Sequence, residues 1–190
     1  MSSKETDFIN KLICNNQRDE AFKKLLDLYQ ERLYWHIRKL VVTHENADDV
    51  LQNTFIRVYK SLPNFSQKSA LYTWMHKIAY NESLRFLEQN KNKHYVSIDD
   101  VNKKYLDNLI GDPFFEGNEL HLKLQRTLSE LPEKQRQIFN MKYYDDLKFR
   151  EISEILDIKE GTLKTSYYNT VKHIENCILN IEMWSDKEVN

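Results

Sequence analysis

The stretch ADDVLQNTFIRVYKSLP, residues 47–63, decides the fold. Its apolar side chains Ala47, Val50, Leu51, Thr54, Phe55, Val58 and Leu62 recur at intervals of three and four, the spacing that lines one face of an α-helix. Asp48, Asp49, Gln52, Asn53, Ile56, Arg57 and Lys60 fall on the opposite face, and Pro63 ends the run because it cannot donate a helical hydrogen bond. Upstream, Phe22, Leu25, Leu26, Tyr29, Leu33, Ile37 and Leu40 repeat in the same way and predict a long amphipathic helix over 19–41. Downstream, the polar loop 64–70 leads into a third helix over about 71–88, which begins Leu71, Trp74, Met75, Ile78 and Ala79. These helices predict a compact bundle.

The periodicity fades between Asn90 and Gly117, where KNKHY, SIDD, DNLIGDP and FFEGNE supply charge and turn residues. It returns with Leu120, Leu124, Leu128 and Leu131, and Pro132 suits the first turn of a helix over 132–144. A short helix over 148–156, a turn over 157–161 and a longer helix over 162–181 follow. In the last, Leu163, Tyr167, Thr170 or Val171, Ile174 and Ile178 point inward, while Lys164, Thr165, Tyr168, Asn169 and Lys172 point outward. A short helix, a tight turn and a longer helix with an exposed polar start form the helix-turn-helix arrangement, whose second helix can lie in a major groove. The expected fold is all-α: a helix bundle over 1–90, a flexible linker over 91–117 and a helix-turn-helix domain over 118–190.

Composition narrows the function. The 190 residues are 41% hydrophobic and 30% charged with only 3 Gly and 3 Pro, as expected of a folded helical chain and not a disordered one. No apolar run approaches the roughly 18 to 20 residues that span a bilayer, and Met1 to Asn10 lacks the order of a signal peptide, so a cytoplasmic protein without membrane insertion is expected. Cys14 and Cys177 match no metal or redox spacing and read as reduced, partly buried thiols. His36, His44, His76, His94, His121 and His173 are scattered without a metal or phosphate-loop motif, and each reads as a surface or half-buried side chain. Adjacent acids such as Asp145 and Asp146 point about 100 degrees apart on a helix, so no active site, metal or cofactor is expected. The net charge of −1 by itself argues against a bulk polyanion binder. Residues 1–90 carry 13 basic and 11 acidic side chains, and 120–190 carry 11 and 12. Any nucleic-acid contact must therefore come from a few placed side chains, with weak affinity in the free protein.

Two segments resemble one family. The run 47–59, followed by YTWMHKIAYN at 72–81, resembles region 2 of sigma-70 family RNA polymerase sigma factors. LPEKQR at 131–136, the pair Tyr143 and Tyr144, EISEIL at 151–156 and GTLKT at 161–165 resemble region 4. The order of the two regions and the short segment between them make the resemblance that of the small extracytoplasmic-function type, and it covers nearly all of the chain.

The resemblance implies a transcription initiation factor, not an enzyme, that binds core RNA polymerase through the clamp helices of the largest subunit and the flap region. It implies docking by Asp48, Asp49, Gln52, Asn53 and Arg57, although Asn53 stands where the family usually has Glu. It further implies that the promoter's minus-10 element is opened and read by Ser66, Gln67, Lys68, Ser69, Tyr72, Lys77 and Asn81. Opening a duplex costs on the order of a few kcal/mol per flipped base, which base capture and aromatic stacking offset. Trp74, on the apolar stripe, reads as core. The minus-35 element would be read as duplex by Lys142, Lys148, Arg150, Lys164, Thr165, Tyr168, Asn169 and Lys172. The chain departs from the family there, since two arginines common on the recognition helix are replaced in TSYYNT at 165–170. An anti-sigma factor is implied by the resemblance alone. The alternative reading is a helix-turn-helix regulator with a helical N-terminal interaction domain, and a third is an interaction module that no longer binds DNA.

Overall fold

The computed structural model describes residues 3–14, 17–41, 43–91 and 119–185, and every regular element among them is helical. The expected linker lies, from residue 92 on, outside the described residues. The chain divides into two compact units, Met1–His94 and Tyr95–Asn190.

The first unit contains α1 (Ser3–Ile13), α2 (Arg18–Val41), α3 (His44–Ser61) and α4 (Leu71–Lys91), with a 3-10 turn at Leu62–Asn64. Helices α2, α3 and α4 pack on one another, and α1 lies against α2 and the 3-10 turn. The spacing of 47–63 is realised as read: Ala47, Val50, Thr54, Phe55, Val58 and Leu62 are buried, and Leu51 is half-buried. Burying each large apolar side chain in such a stripe contributes about 1.5–3 kcal/mol. Thr43 caps α3, its Oγ1 accepting the Asn46 N–H at 3.3 Å. Pro63 stops the helix in the 3-10 turn, where Phe65 N–H donates to the Leu62 carbonyl at 3.0 Å. Buried hydroxyls are satisfied within their own helices: Thr54 donates to the Val50 carbonyl at 2.7 Å and Ser83 to that of Ala79 at 2.9 Å.

Two features of this unit depart from the sequence reading. Helix α1 adds a fourth element whose Ile9 and Leu12 are fully buried. His36 and His76, expected at or near the surface, are buried at 2% and 0% exposure with ring centroids 3.7 Å apart. The reason is the crossing of α2 over α4, which brings the inward-facing turn of each helix to the same point.

The second unit contains α5 (Glu119–Glu130), α6 (Glu133–Tyr143), α7 (Phe149–Leu156) and α8 (Glu160–Ser185). Helix α8 packs against each of the other three. Leu128, Leu131, Phe139 and Ile174 form a buried cluster, with Leu124, Tyr144, Tyr167, Val171 and Ile178 packed around it. Leu120, at the start of α5, is 52% exposed and does not join the stripe expected of it. The turn between α7 and α8 is made by Asp157, which caps α7 in the left-handed region (φ 56°, ψ 42°) and donates its N–H to the Ser153 carbonyl at 3.0 Å. A short polar side chain tolerates that conformation better than a branched one. At the other end of α7, the Lys148 N–H donates to Glu151 Oε2 at 2.7 Å, half of a capping box. Cys14 is exposed and Cys177 half-buried, both as free thiols.

Candidate nucleic-acid interface

The polar face of α3 stands outside the bundle because every third or fourth residue beneath it is core. Asp49, Gln52, Asn53 and Arg57 are exposed and Asp48 is half-buried, with Ile56 53% exposed among them. Asp48 Oδ2 lies 3.4 Å from His44 Nε2, and His44 Nδ1 lies 2.6 Å from the Tyr34 hydroxyl. Arg57 reaches back toward α4: its Nε lies 2.7 Å from Glu82 Oε1. Glu82 is 8% exposed and also accepts from the Arg85 guanidinium at 2.9 and 3.3 Å. One nearly buried carboxylate thus holds two half-exposed arginines, so the outer end of this face keeps a net positive charge.

The loop between the 3-10 turn and α4 is anchored at both ends. Phe65 is buried and its ring lies 4.8 Å from that of Trp74, while Leu71 is 2% exposed. Ser66, Gln67 and Lys68 are exposed between these anchors and Ser69 is half-buried. Gln67, exposed, sits at φ 56°, a conformation that costs a non-glycine residue on the order of 1 kcal/mol. Lys77 and Asn81 are exposed one turn apart on α4. Tyr72 is less accessible than its place in the sequence implied. Its ring stacks on Tyr29 at 5.6 Å, and the Arg32 guanidinium lies 4.2 Å from its centroid.

In the second unit, Lys164, Thr165, Tyr168, Asn169 and Lys172 are all exposed on α8, above the fully buried Leu163. Lys148 and Arg150 are exposed at the start of α7, and Lys142 is half-buried. The structure gathers several of these around Phe149, which the sequence reading did not single out. Lys142 Nζ lies 5.8 Å and Lys164 Nζ 5.9 Å from its ring centroid, with the Tyr168 ring at 6.3 Å and that of Tyr167 at 5.7 Å. Burial, followed by the neighbouring phenols Tyr168 and Tyr143, raises the Tyr167 pKa above its ordinary value. Two of the cations are drawn to acids on their own helices, Arg150 to Glu154 at 3.5 Å and Lys164 to Glu160 at 3.6 Å. A shallow open concavity at the start of α8 is lined by Gln135, Gly161, Thr162, Thr165, Ser166 and Asn169. Gln135 comes from α6, and no local sequence signal connects it to α8.

The first unit thus presents an exposed polar face on α3 and an anchored polar loop, and the second is a helix-turn-helix whose second helix is exposed and polar. Residues 25–93 match Sigma-70 region 2 and residues 121–174 match Sigma-70, region 4. The ECF RNA polymerase sigma factor SigW of Bacillus subtilis (strain 168) is 28% identical over 154 residues, covering 77% of this chain and 82% of the relative. The ECF RNA polymerase sigma-E factor of Escherichia coli (strain K12) is 27% identical over 165 residues, covering 83% and 86%. Among solved structures, CnrH in complex with the cytosolic domain of CnrY aligns with a TM-score of 0.64 at 16% identity, covering 90% of this chain and 94% of that one. The sigma factor RpoE of Bartonella quintana, in complex with the anti-sigma factor NepR, aligns at 0.63 and 17% identity, covering 83% and 96%. At such identities these two likenesses establish the fold. The chain belongs to the sigma-70 family, extracytoplasmic-function type, and is a transcription initiation factor with no enzymatic activity of its own. Among the described residues no helix is long and apolar enough to cross a membrane.

Proposed function

We propose that the two units divide promoter recognition between them and that core RNA polymerase holds both. The α3 face, through Asp48, Asp49, Gln52, Asn53 and Arg57, docks on the clamp helices of the largest polymerase subunit, and the second unit lies near the flap region. The loop 66–69 captures a base of the minus-10 element, and Lys77 and Asn81 follow the separated strand along α4, with Tyr72 at the first turn of that helix. Lys164, Thr165, Tyr168 and Asn169 enter the major groove of the minus-35 element, with Lys142, Lys148, Arg150 and Lys172 toward its phosphates.

The observation that carries this reading is the anchored loop: Phe65 and Leu71 fix its ends, so the exposed residues between them are presented to a ligand without a large ordering cost. Charge supports the coupling to polymerase. With a net charge of −1 and with Arg150 and Lys164 near acids of their own helices, the free protein has little electrostatic attraction for DNA. Affinity rises when one large enzyme holds both units on one promoter, because the second contact then forms at high effective concentration. An anti-sigma factor is the natural antagonist, covering one of these faces; the RpoE relative is bound to such a protein in its solved structure.

Transcription in vitro with core polymerase tests the reading. Promoter-specific initiation is expected only when the chain is added, and Asp49→Arg combined with Gln52→Ala should abolish it without unfolding the chain. Tight, specific gel shifts by the free protein would overturn the coupling. Absence of specific initiation with core enzyme would favour the helix-turn-helix regulator instead.

A further inference from the structure

The chemistry of the α8 reading surface is unusual in what it contains. Helix α8, residues 160–185, carries no arginine. The concavity at its start is lined by the amides of Gln135 and Asn169, the hydroxyls of Thr162, Thr165 and Ser166, and the bare backbone of Gly161, with no cationic side chain. Nothing lies within 4 Å of where a Cβ on Gly161 would stand, so the space in front of it is open to an approaching duplex. Thr165 donates its hydroxyl proton to the Gly161 carbonyl at 3.0 Å, leaving its methyl and an acceptor lone pair for a ligand. Tyr168 is 58% exposed, and its ring is braced by Tyr167 at 5.6 Å and Phe149 at 6.3 Å.

In the major groove guanine shows two acceptors, N7 and O6, and is matched by a fork of donors such as arginine. Adenine shows an acceptor at N7 and a donor at N6, which a carboxamide satisfies with one group, and thymine adds a methyl that takes an apolar contact. Lys164 is drawn toward Glu160 and the Phe149 ring, and Lys172, exposed one turn beyond Asn169, lies outside the lining of the concavity.

We propose that this surface reads A·T base pairs: Asn169 and Gln135 each bond an adenine edge, and the Thr165 methyl and Tyr168 ring pack on thymine methyls, with no guanine contact. Gln135 is thereby a specificity-determining residue outside the helix-turn-helix. From Thr165 to Asn169 the helix rises about 6 Å, close to two base-pair steps of about 3.4 Å, so the core spans about three pairs. The inference rests on the minus-35 role proposed above for this unit.

The test uses the full chain assembled with core polymerase and a template library whose whole upstream region is random, with transcripts sequenced. An A·T block of about three pairs is expected upstream of a second element, each G·C replacement in it lowering output on the order of tenfold. Asn169→Ala and Gln135→Ala should each flatten the preference at one position, and Asn169→Arg should move its position to guanine. Guanine in the wild-type block overturns the inference. So does an unchanged profile in both alanine variants, or a uniform loss of output in Gln135→Ala at unaltered preference; in each of these cases the proposed function stands, whereas an unselected upstream block beside a selected downstream element overturns the inference together with the minus-35 role on which it rests. No promoter-specific transcripts above core alone would overturn both.

Discussion

Glu82 offers the sharpest test of how the first unit is held together. Its carboxylate is 8% exposed and sits 2.7 Å from Arg57 Nε and 2.9 Å from an Arg85 guanidinium nitrogen. Glu82→Gln keeps the volume, removes the charge and turns one end of the side chain into a donor facing donors. Each charge-assisted hydrogen bond contributes about 1.5–3 kcal/mol when buried. Both arginines are about half exposed, however, with side-chain exposures of 49% and 48%, and recover hydration when released. Discounting by half leaves a loss of about 2 kcal/mol. For a unit of this size about 1 kcal/mol moves the thermal midpoint by roughly 4–8 °C, so the expected fall is roughly 8–16 °C. Urea unfolding of the full chain followed by tryptophan fluorescence measures the free-energy loss and heating the fall in midpoint, with Trp184→Phe as background so that Trp35 and Trp74 report this unit alone. A double-mutant cycle with Arg57→Gln should show coupling of at least about 1 kcal/mol. A loss below about 0.5 kcal/mol for Glu82→Gln, or strict additivity in the cycle, would refute the reasoning. The cycle also separates two roles of Arg57: polymerase affinity lost on Arg57→Gln in the Glu82→Gln background reports direct docking.

The second unit supports further expectations. Asp157 occupies the left-handed region, so Asp157→Gly should raise its stability by up to about 1 kcal/mol and Asp157→Val should lower it by more than that, read from urea midpoints. Gly161 is helical with open space around it, and Gly161→Ala should hold or raise stability by up to about 1 kcal/mol while lowering promoter output, because a methyl there meets the duplex and not the fold; unchanged output would place the duplex elsewhere. Leu163 is fully buried, and Leu163→Ala should cost about 2–5 kcal/mol and abolish dependence on the upstream element, checked by unfolding and by transcription from the same promoter. Burial raises the Tyr167 pKa above its ordinary 10.0, so its contribution to stability is complete below that pH and is lost as pH rises through the folded value. Tyr167→Phe should therefore flatten the alkaline fall in stability, measured as urea midpoints on both sides of pH 10.

Much of the architecture is legible in local spacing. The stripe from Ala47 to Leu62 and the inward set Leu163, Thr170 and Ile174 appear buried because helical geometry alone puts residues three and four apart on one side. Phe8, Ile9, Leu12 and Ile13 carry the same spacing and form the inward side of α1. The exposed candidate residues on α3 and α8 follow as the complement of those stripes.

Other features depend on which helix crosses which, and at what rotation. The Glu82 clamp joins residues twenty-five apart in the chain, His36 meets His76 across two helices, and Arg32 reaches the ring of Tyr72. Gln135 enters the α8 concavity only because α6 packs beside it. The order of residues by itself determined the helices, their buried faces and the family. Tertiary packing decided which polar side chains share a site, because periodicity is a property of one helix and juxtaposition is a property of two.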